Sequence, residues 1–170
     1  MATLVIVFLA DLILKGEKKH TILSVLTGVL LLAQIAVCFV SEPASAFAGL
    51  YVSTAAAQVM KVILTAGAFI VVVMAQSWIE RADVMRKEGE FYELIISTLL
   101  GMYMMISSGH FLMFFLGLEM ASVPMACLVA FDKFKQNSAE GAAKFILTAS
   151  FSSGVMLYGI AFLYGAWGSL

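Results

Sequence analysis

Apolar residues gather into runs separated by short polar stretches, at about 1 to 14, 21 to 40, 59 to 79, 91 to 108, 110 to 131 and 141 to 165. All but the first approach the ~20 residues that a helix needs to cross a hydrocarbon core. In lipid every backbone N–H and C=O must be satisfied within its own segment, so such runs become helices. The pattern therefore predicts an all-α polytopic membrane protein with about six transmembrane helices.

The polar punctuation adds an orientation. Loops one, three and five carry three, three and two Lys/Arg, while loops two and four and the tail after Tyr164 carry none. Because cations are retained on the cytoplasmic side, this alternation predicts a multi-pass protein with both termini outside. The first run is no signal peptide: it lacks a basic stretch before it, and Lys15, Lys18 and Lys19 follow it instead. Within loop two, Phe47, Leu50, Tyr51 and Val52 predict an amphipathic piece between Ser41 and Gln58 lying at the outer interface. Trp78 and Trp167 close the third and sixth runs, where their rings act as headgroup-level anchors. Gly141, Ala142, Ala143, Ala149, Gly154 and Gly159 predict a sixth helix buried against others, since small residues permit close helix contact in lipid.

Composition narrows the function. With 62% hydrophobic and 12% charged residues and a mean hydropathy of +1.02, the chain requires a lipid bilayer around it. The net charge of −1 is segregated by position and leaves no basic patch for nucleic acid. Cys38 and Cys127 lie in separate apolar runs, and His20 and His110 stand alone at segment ends, so neither a disulfide nor a metal cluster is expected. No phosphate loop or nucleotide motif occurs. No cofactor is expected in this chain, nor a soluble small-molecule substrate.

Candidate chemistry is confined to few groups. Glu119 lies ten residues into the fifth run, about 15 Å from either end of a helix. A carboxylate at that depth costs at least ~2.5 kcal/mol and persists where a partner, a proton or a water-filled cavity compensates it. Hydrocarbon favours its neutral form and a nearby cation its ionised form, so a movable cation turns it into a proton relay. The competing reading is a static interhelical hydrogen bond. Pro124, five residues on, withdraws the donor for the carbonyl of Met120 and bends the helix, either to admit water or simply for packing. Lys144, a turn into the sixth run, suits a proton path, but it also stands four residues after Glu140, a spacing that makes a routine helix ion pair. Glu90 and Glu93 open the fourth helix, where carboxylates complement the dipole. Asp11 and Lys61 read as interfacial, and Met104, Met105 and Met113 have no metal-binding spacing.

Three stretches carry a family resemblance: GEFYELIISTLLGMYMMISS at 89–108, FFLGLEMASVPM at 114–125 and SAEGAAKFILTASFSSGVMLYGIAFLYGAWGS at 138–169. Together they resemble the antiporter-like membrane subunits of respiratory complex I, and among them subunit N of the bacterial NADH-quinone oxidoreductase. The resemblance implies a proton-pumping module in the bacterial inner membrane, driven from elsewhere in a large complex. It implies that Glu119 is the family's fifth-helix glutamate, Lys144 its early sixth-helix lysine and Glu90 its acidic residue on the fourth. It also implies other membrane subunits as partners, with NADH, flavin, iron-sulfur clusters and quinone bound elsewhere. On this basis 1–88 are leading helices, and 89–170 begin the first of two inverted repeats.

The chain departs from that pattern by stopping at Leu170, before the broken seventh helix whose lysine pairs with the glutamate, so an N-terminal fragment or split product is expected. Met120-Ala121 in place of Leu-Leu and Phe145 in place of Tyr are conservative changes. Two other readings compete: a subunit of a multi-subunit cation/proton antiporter, and a non-transporting scaffold.

Overall fold

The computed structural model describes residues 1–14, 19–40, 44–79, 88–132 and 135–168. Six helices follow in order: α1 Ala2–Ile13, α2 Lys19–Val40, α3 Ala55–Ile79, α4 Glu88–Ile106, α5 Phe111–Val129 and α6 Gln136–Trp167. The protein is thus the predicted all-α polytopic bundle. Four of the helices (α2, α3, α5 and α6) are both long and apolar enough to cross a membrane. Helix α4 has the length, but Glu88, Glu90 and Glu93 at its start dilute its hydropathy. Helix α1, with 12 residues, rises only about 18 Å.

Helix α4 is the hub, touching α1, α2, α3 and α5, whereas α6 packs chiefly on α5. The core runs through Leu23 and Leu31 of α2, Val72 and Ile79 of α3, and Tyr92, Ile96 and Leu99 of α4, with Val7 of α1 and Phe131 closing it. Trp78 packs against this core, its ring tilted at 5.9 Å from that of Phe91 and 6.1 Å from that of Phe131. Where α4 crosses α5, a Cβ on Gly117 would lie 2.7 Å from the amide nitrogen of Met105, so glycine alone permits the approach.

The piece after α2 is a β-hairpin, β1 Ala44–Ala46 pairing antiparallel with β2 Tyr51–Ser53 around a short 3-10 turn. A left-handed Phe47 (φ 53°) and Gly49 (φ 89°) turn the chain back there, which a helix would not allow. The hairpin docks on the α4–α5 turn, with Val52 N donating to Ser107 O at 2.7 Å and Gly109 N to Leu50 O at 2.8 Å. Helix α6, in turn, is not buried: Phe151 and Tyr158 stand 75% and 66% exposed, and a Cβ on Gly154 or Gly159 would meet nothing within 4 Å. Of its small residues Gly141 faces Val129 of α5, whereas Gly154 and Gly159 have no facing helix among the described residues. Of the loop cations that predict orientation, Lys15, Lys18, Arg81, Arg86, Lys87 and Lys133 lie outside the described residues.

Candidate functional site

Helix α5 runs unbroken from Phe111 through Pro124 to Val129 because its backbone has no alternative partners in lipid. His110 caps its start, Nδ1 accepting from Leu112 N at 3.1 Å. Gly117, Met120 and Ala121 form the face pressed on α4. Glu119 lies two residues past Gly117, about 200° around the helix, and so points away from α4. It is half-buried, and its carboxylate has no hydrogen-bond or ion-pair partner among the described residues. Ser122 Oγ donates to its carbonyl at 3.3 Å, taking up backbone polarity one turn from the proline.

Helix α6 returns beside α5, joined by Ser138 Oγ donating to Val129 O at 2.6 Å, and a Cβ added at Gly141 would lie 3.6 Å from the Val129 side chain. Lys144 does not reach Glu119. Its ammonium pairs with Glu140 at 2.5 Å, and its side chain is 73% exposed. Counted from the Gly141–Val129 contact, Lys144 rises about 4.5 Å and Glu119 about 15 Å, so about 10 Å of depth separates them. Pro124 is half-buried between the two levels. Glu90 is exposed on the first turn of α4 and, with Glu93, Ser97 and Cys127, lines a cavity of about 550 Å³ at the far end of the bundle from the hairpin. The four candidate residues therefore stand at separate levels.

Among the described residues the fold buries two charged side chains, Glu88 at the start of α4 and Lys61, 5% exposed beneath the hairpin. Its ammonium donates to Tyr51 Oη at 3.0 Å and to Ser53 Oγ at 3.5 Å, and lies 5.1 Å from the Tyr51 ring centroid and 5.9 Å from that of Tyr103. Its carbonyl accepts from Thr65 Oγ1 at 2.6 Å and from Tyr103 Oη at 3.3 Å. No carboxylate pairs with it among the described residues. The hairpin closes over Lys61, a position that the linear pattern leaves open. Burying a cation carries a desolvation cost, offset here by hydroxyls and π-faces.

Burial alone raises the Tyr51 phenol. Contacts from Ser107 and Lys61, together with the Lys61 charge, outweigh it and hold the group below its ordinary value. The linear spacing does not single out this cluster: Tyr51 and Ser53 precede Lys61 by ten and eight residues, and only Thr65, one helical turn on, shares its helix.

Comparison with known proteins fits the same architecture. A family model described as NADH:quinone oxidoreductase/Mrp antiporter, TM, matches residues 108–170. NADH-quinone oxidoreductase subunit N of Phocaeicola vulgatus is 52% identical over 99% of this chain. The chain belongs to the family of antiporter-like membrane subunits of complex I. Another family member, subunit N of Azobacteroides pseudotrichonymphae, is 42% identical, again over 99% of this chain. Among solved structures, a chain of respiratory complex I from Thermus thermophilus with bound aureothin matches with a TM-score of 0.73 and 26% identity, covering 99% of this chain and 38% of that one. The present chain spans 36% of the length of the two subunit N relatives.

Proposed function

We propose that this chain forms part of a membrane subunit of a proton-pumping NADH-quinone oxidoreductase in the bacterial inner membrane, with both termini of the segment outside. It contributes to proton translocation coupled to quinone reduction. NADH, flavin, iron-sulfur clusters and quinone bind to other subunits of the complex, which are its partners together with the lipid. The subunit itself supplies a buried relay in which Glu119 holds a proton, Lys144 feeds the path from the cytoplasmic side, Pro124 loosens the helix for water and Glu90 collects protons at the entrance.

The observation that carries this reading is the half-buried Glu119 carboxylate without an internal partner, midway along a helix whose opposite face is locked to α4 through Gly117. Among the described residues no group on α4 or α6 holds that carboxylate in a hydrogen bond. The 10 Å of depth between Glu119 and Lys144 is too large for a direct hop and requires water or a further basic group between them.

The test is Glu119→Gln in the full-length subunit within the assembled complex, reading protons moved per NADH oxidised in vesicles. The ratio falls on this reading. An unchanged ratio with intact assembly would support a scaffold instead. The family model's description names the Mrp antiporters too, so a cation/proton antiporter subunit is the second reading. Absence of quinone reductase subunits from the purified complex would favour it.

A further inference from the structure

Beneath the hairpin, three helices and a turn converge on one buried amine that the relay through Glu119 does not use. We propose that Lys61 is a second proton-exchanging group, a station that passes its proton to the water on the hairpin side of the membrane. The inference rests on the translocating function proposed above and adds to it a group on the leading helices.

The route is written in hydroxyls. Lys61 Nζ donates to Tyr51 Oη at 3.0 Å and Ser53 Oγ at 3.5 Å, and both residues are half-exposed on the hairpin. In the release step an N–H bond of the ammonium breaks and its proton goes to the Tyr51 oxygen. The original Tyr51 proton leaves for water, which becomes hydronium. Lys61 ends as a neutral amine and Tyr51 as a neutral phenol, so the only acceptor required is water on that side.

Two further polar side chains with buried oxygens flank this line, Ser107 against Tyr51 and Gln34 beside Tyr103, and extend its polar surroundings. Further inward stand Leu31, Val72 and Leu99, each at most 3% exposed, so the proton given up by Lys61 leaves toward the hairpin side. The titratable groups facing Lys61 are Tyr51 from the hairpin, Tyr103 from α4 and Cys38 from α2. No acid among the described residues fixes its proton by pairing with it.

Holding the hairpin in place is not a sufficient role for this lysine. Backbone bonds from Val52 to Ser107 and from Gly109 to Leu50 already dock the hairpin. A pin would also be served by arginine, which keeps the charge and the donors but does not release a proton.

That difference supplies the experiment, in the full-length subunit within the assembled complex and vesicles. Lys61→Arg is expected to slow proton translocation by about ten-fold or more, and Lys61→His, which titrates, to restore part of it. Wild-type translocation in Lys61→Arg overturns the proposal. Should that variant not assemble, Tyr51→Phe decides, since it keeps the ring under the cation and removes only the hydroxyl: slowed translocation supports the station, an unchanged rate overturns it. A loss in Glu119→Gln with none in Lys61→Arg sinks Lys61 alone. A loss only in Lys61→Arg sinks the Glu119 relay and keeps the station. No loss in either overturns both.

Discussion

The leading helices and the last pair solve the problem of polar groups in lipid in opposite ways. Helices α2, α3 and α4 fold their polar side chains inward and pair them: Gln76 Nε2 donates to Ser24 Oγ, Thr65 meets Tyr103, and Lys61 rests on Tyr51. Helices α5 and α6 leave theirs open, with Glu119 half-buried and Lys144 mostly exposed. A cavity of about 750 Å³ separates the two helices near the hairpin end, lined by Phe111, Phe114, Met156 and Ile160. The contrast teaches that depth and burial are different properties. Glu119 is deep yet open, while Lys61 lies nearer a helix end yet is sealed.

The joint between the two regions is the place where a single change should do most. Gly117→Leu would force side-chain atoms into the α4 backbone, where even a Cβ lies 2.7 Å from Met105 N and 2.9 Å from Gly101 O. Both helices would have to part, at a cost of about 3 kcal/mol, the upper part of the overpacking range. Reversible unfolding of the full-length subunit in detergent or bicelles measures it, and a loss below about 1 kcal/mol would mean that the crossing is looser than described. The next largest effect lies in the sealed region. Tyr103→Phe removes the hydroxyl that meets both Thr65 and the Lys61 carbonyl. Interhelical hydrogen bonds in membranes average about 0.6 kcal/mol and reach about 1.7, so a loss near 1 kcal/mol is expected in the same unfolding assay.

Much of this was legible in the sequence, and its limits are physical. Hydropathy marks a helix directly, since lipid admits no other state for a long apolar run, and all six helices stand where the runs predict within a few residues. The hairpin was not legible, because Ala44, Ser45 and Ala46 carry no alternation and its strand partner includes the distant Ser108. Depth follows from counting, so the level of Glu119 could be read. Its direction could not, being set by contacts of Gly117 and Ala121 with α4, although the small-xxx-small spacing of those two residues was an available signal. The fate of Lys61 depended on α4 and the hairpin meeting above it, which no local pattern encodes.

A smaller effect tests whether the Lys61 charge reaches the surface. Tyr51 stands outside the spanning segments, and its phenol is held below its ordinary value against the effect of burial. An acid depressed in the fold adds stability above its unfolded value, near pH 10 for tyrosine, and loses it as pH falls through the folded value. Tyr51 therefore contributes nothing of this kind at neutral pH and a modest gain in alkali. Tyrosinate absorbance, wild type minus Tyr51→Phe, should show a step below about pH 10, and Lys61→Met should move that step upward. A step that stays put in Lys61→Met would disconnect the two residues.

The smallest expected effect falls on the open region. Gly154 lies on α6, where an added Cβ meets nothing within 4 Å. Leucine there would exchange one lipid contact for another, and in hydrocarbon such an exchange brings no hydrophobic gain. Gly154→Leu should thus leave the unfolding free energy of the full-length subunit within about 0.5 kcal/mol, against the several-fold larger cost at Gly117. A loss of about 2 kcal/mol or more would mean that another helix covers this face of α6. The openness of the last pair would then be a property of this stretch of chain, not of the subunit, and Glu119 would acquire a neighbour on the side where it now has none.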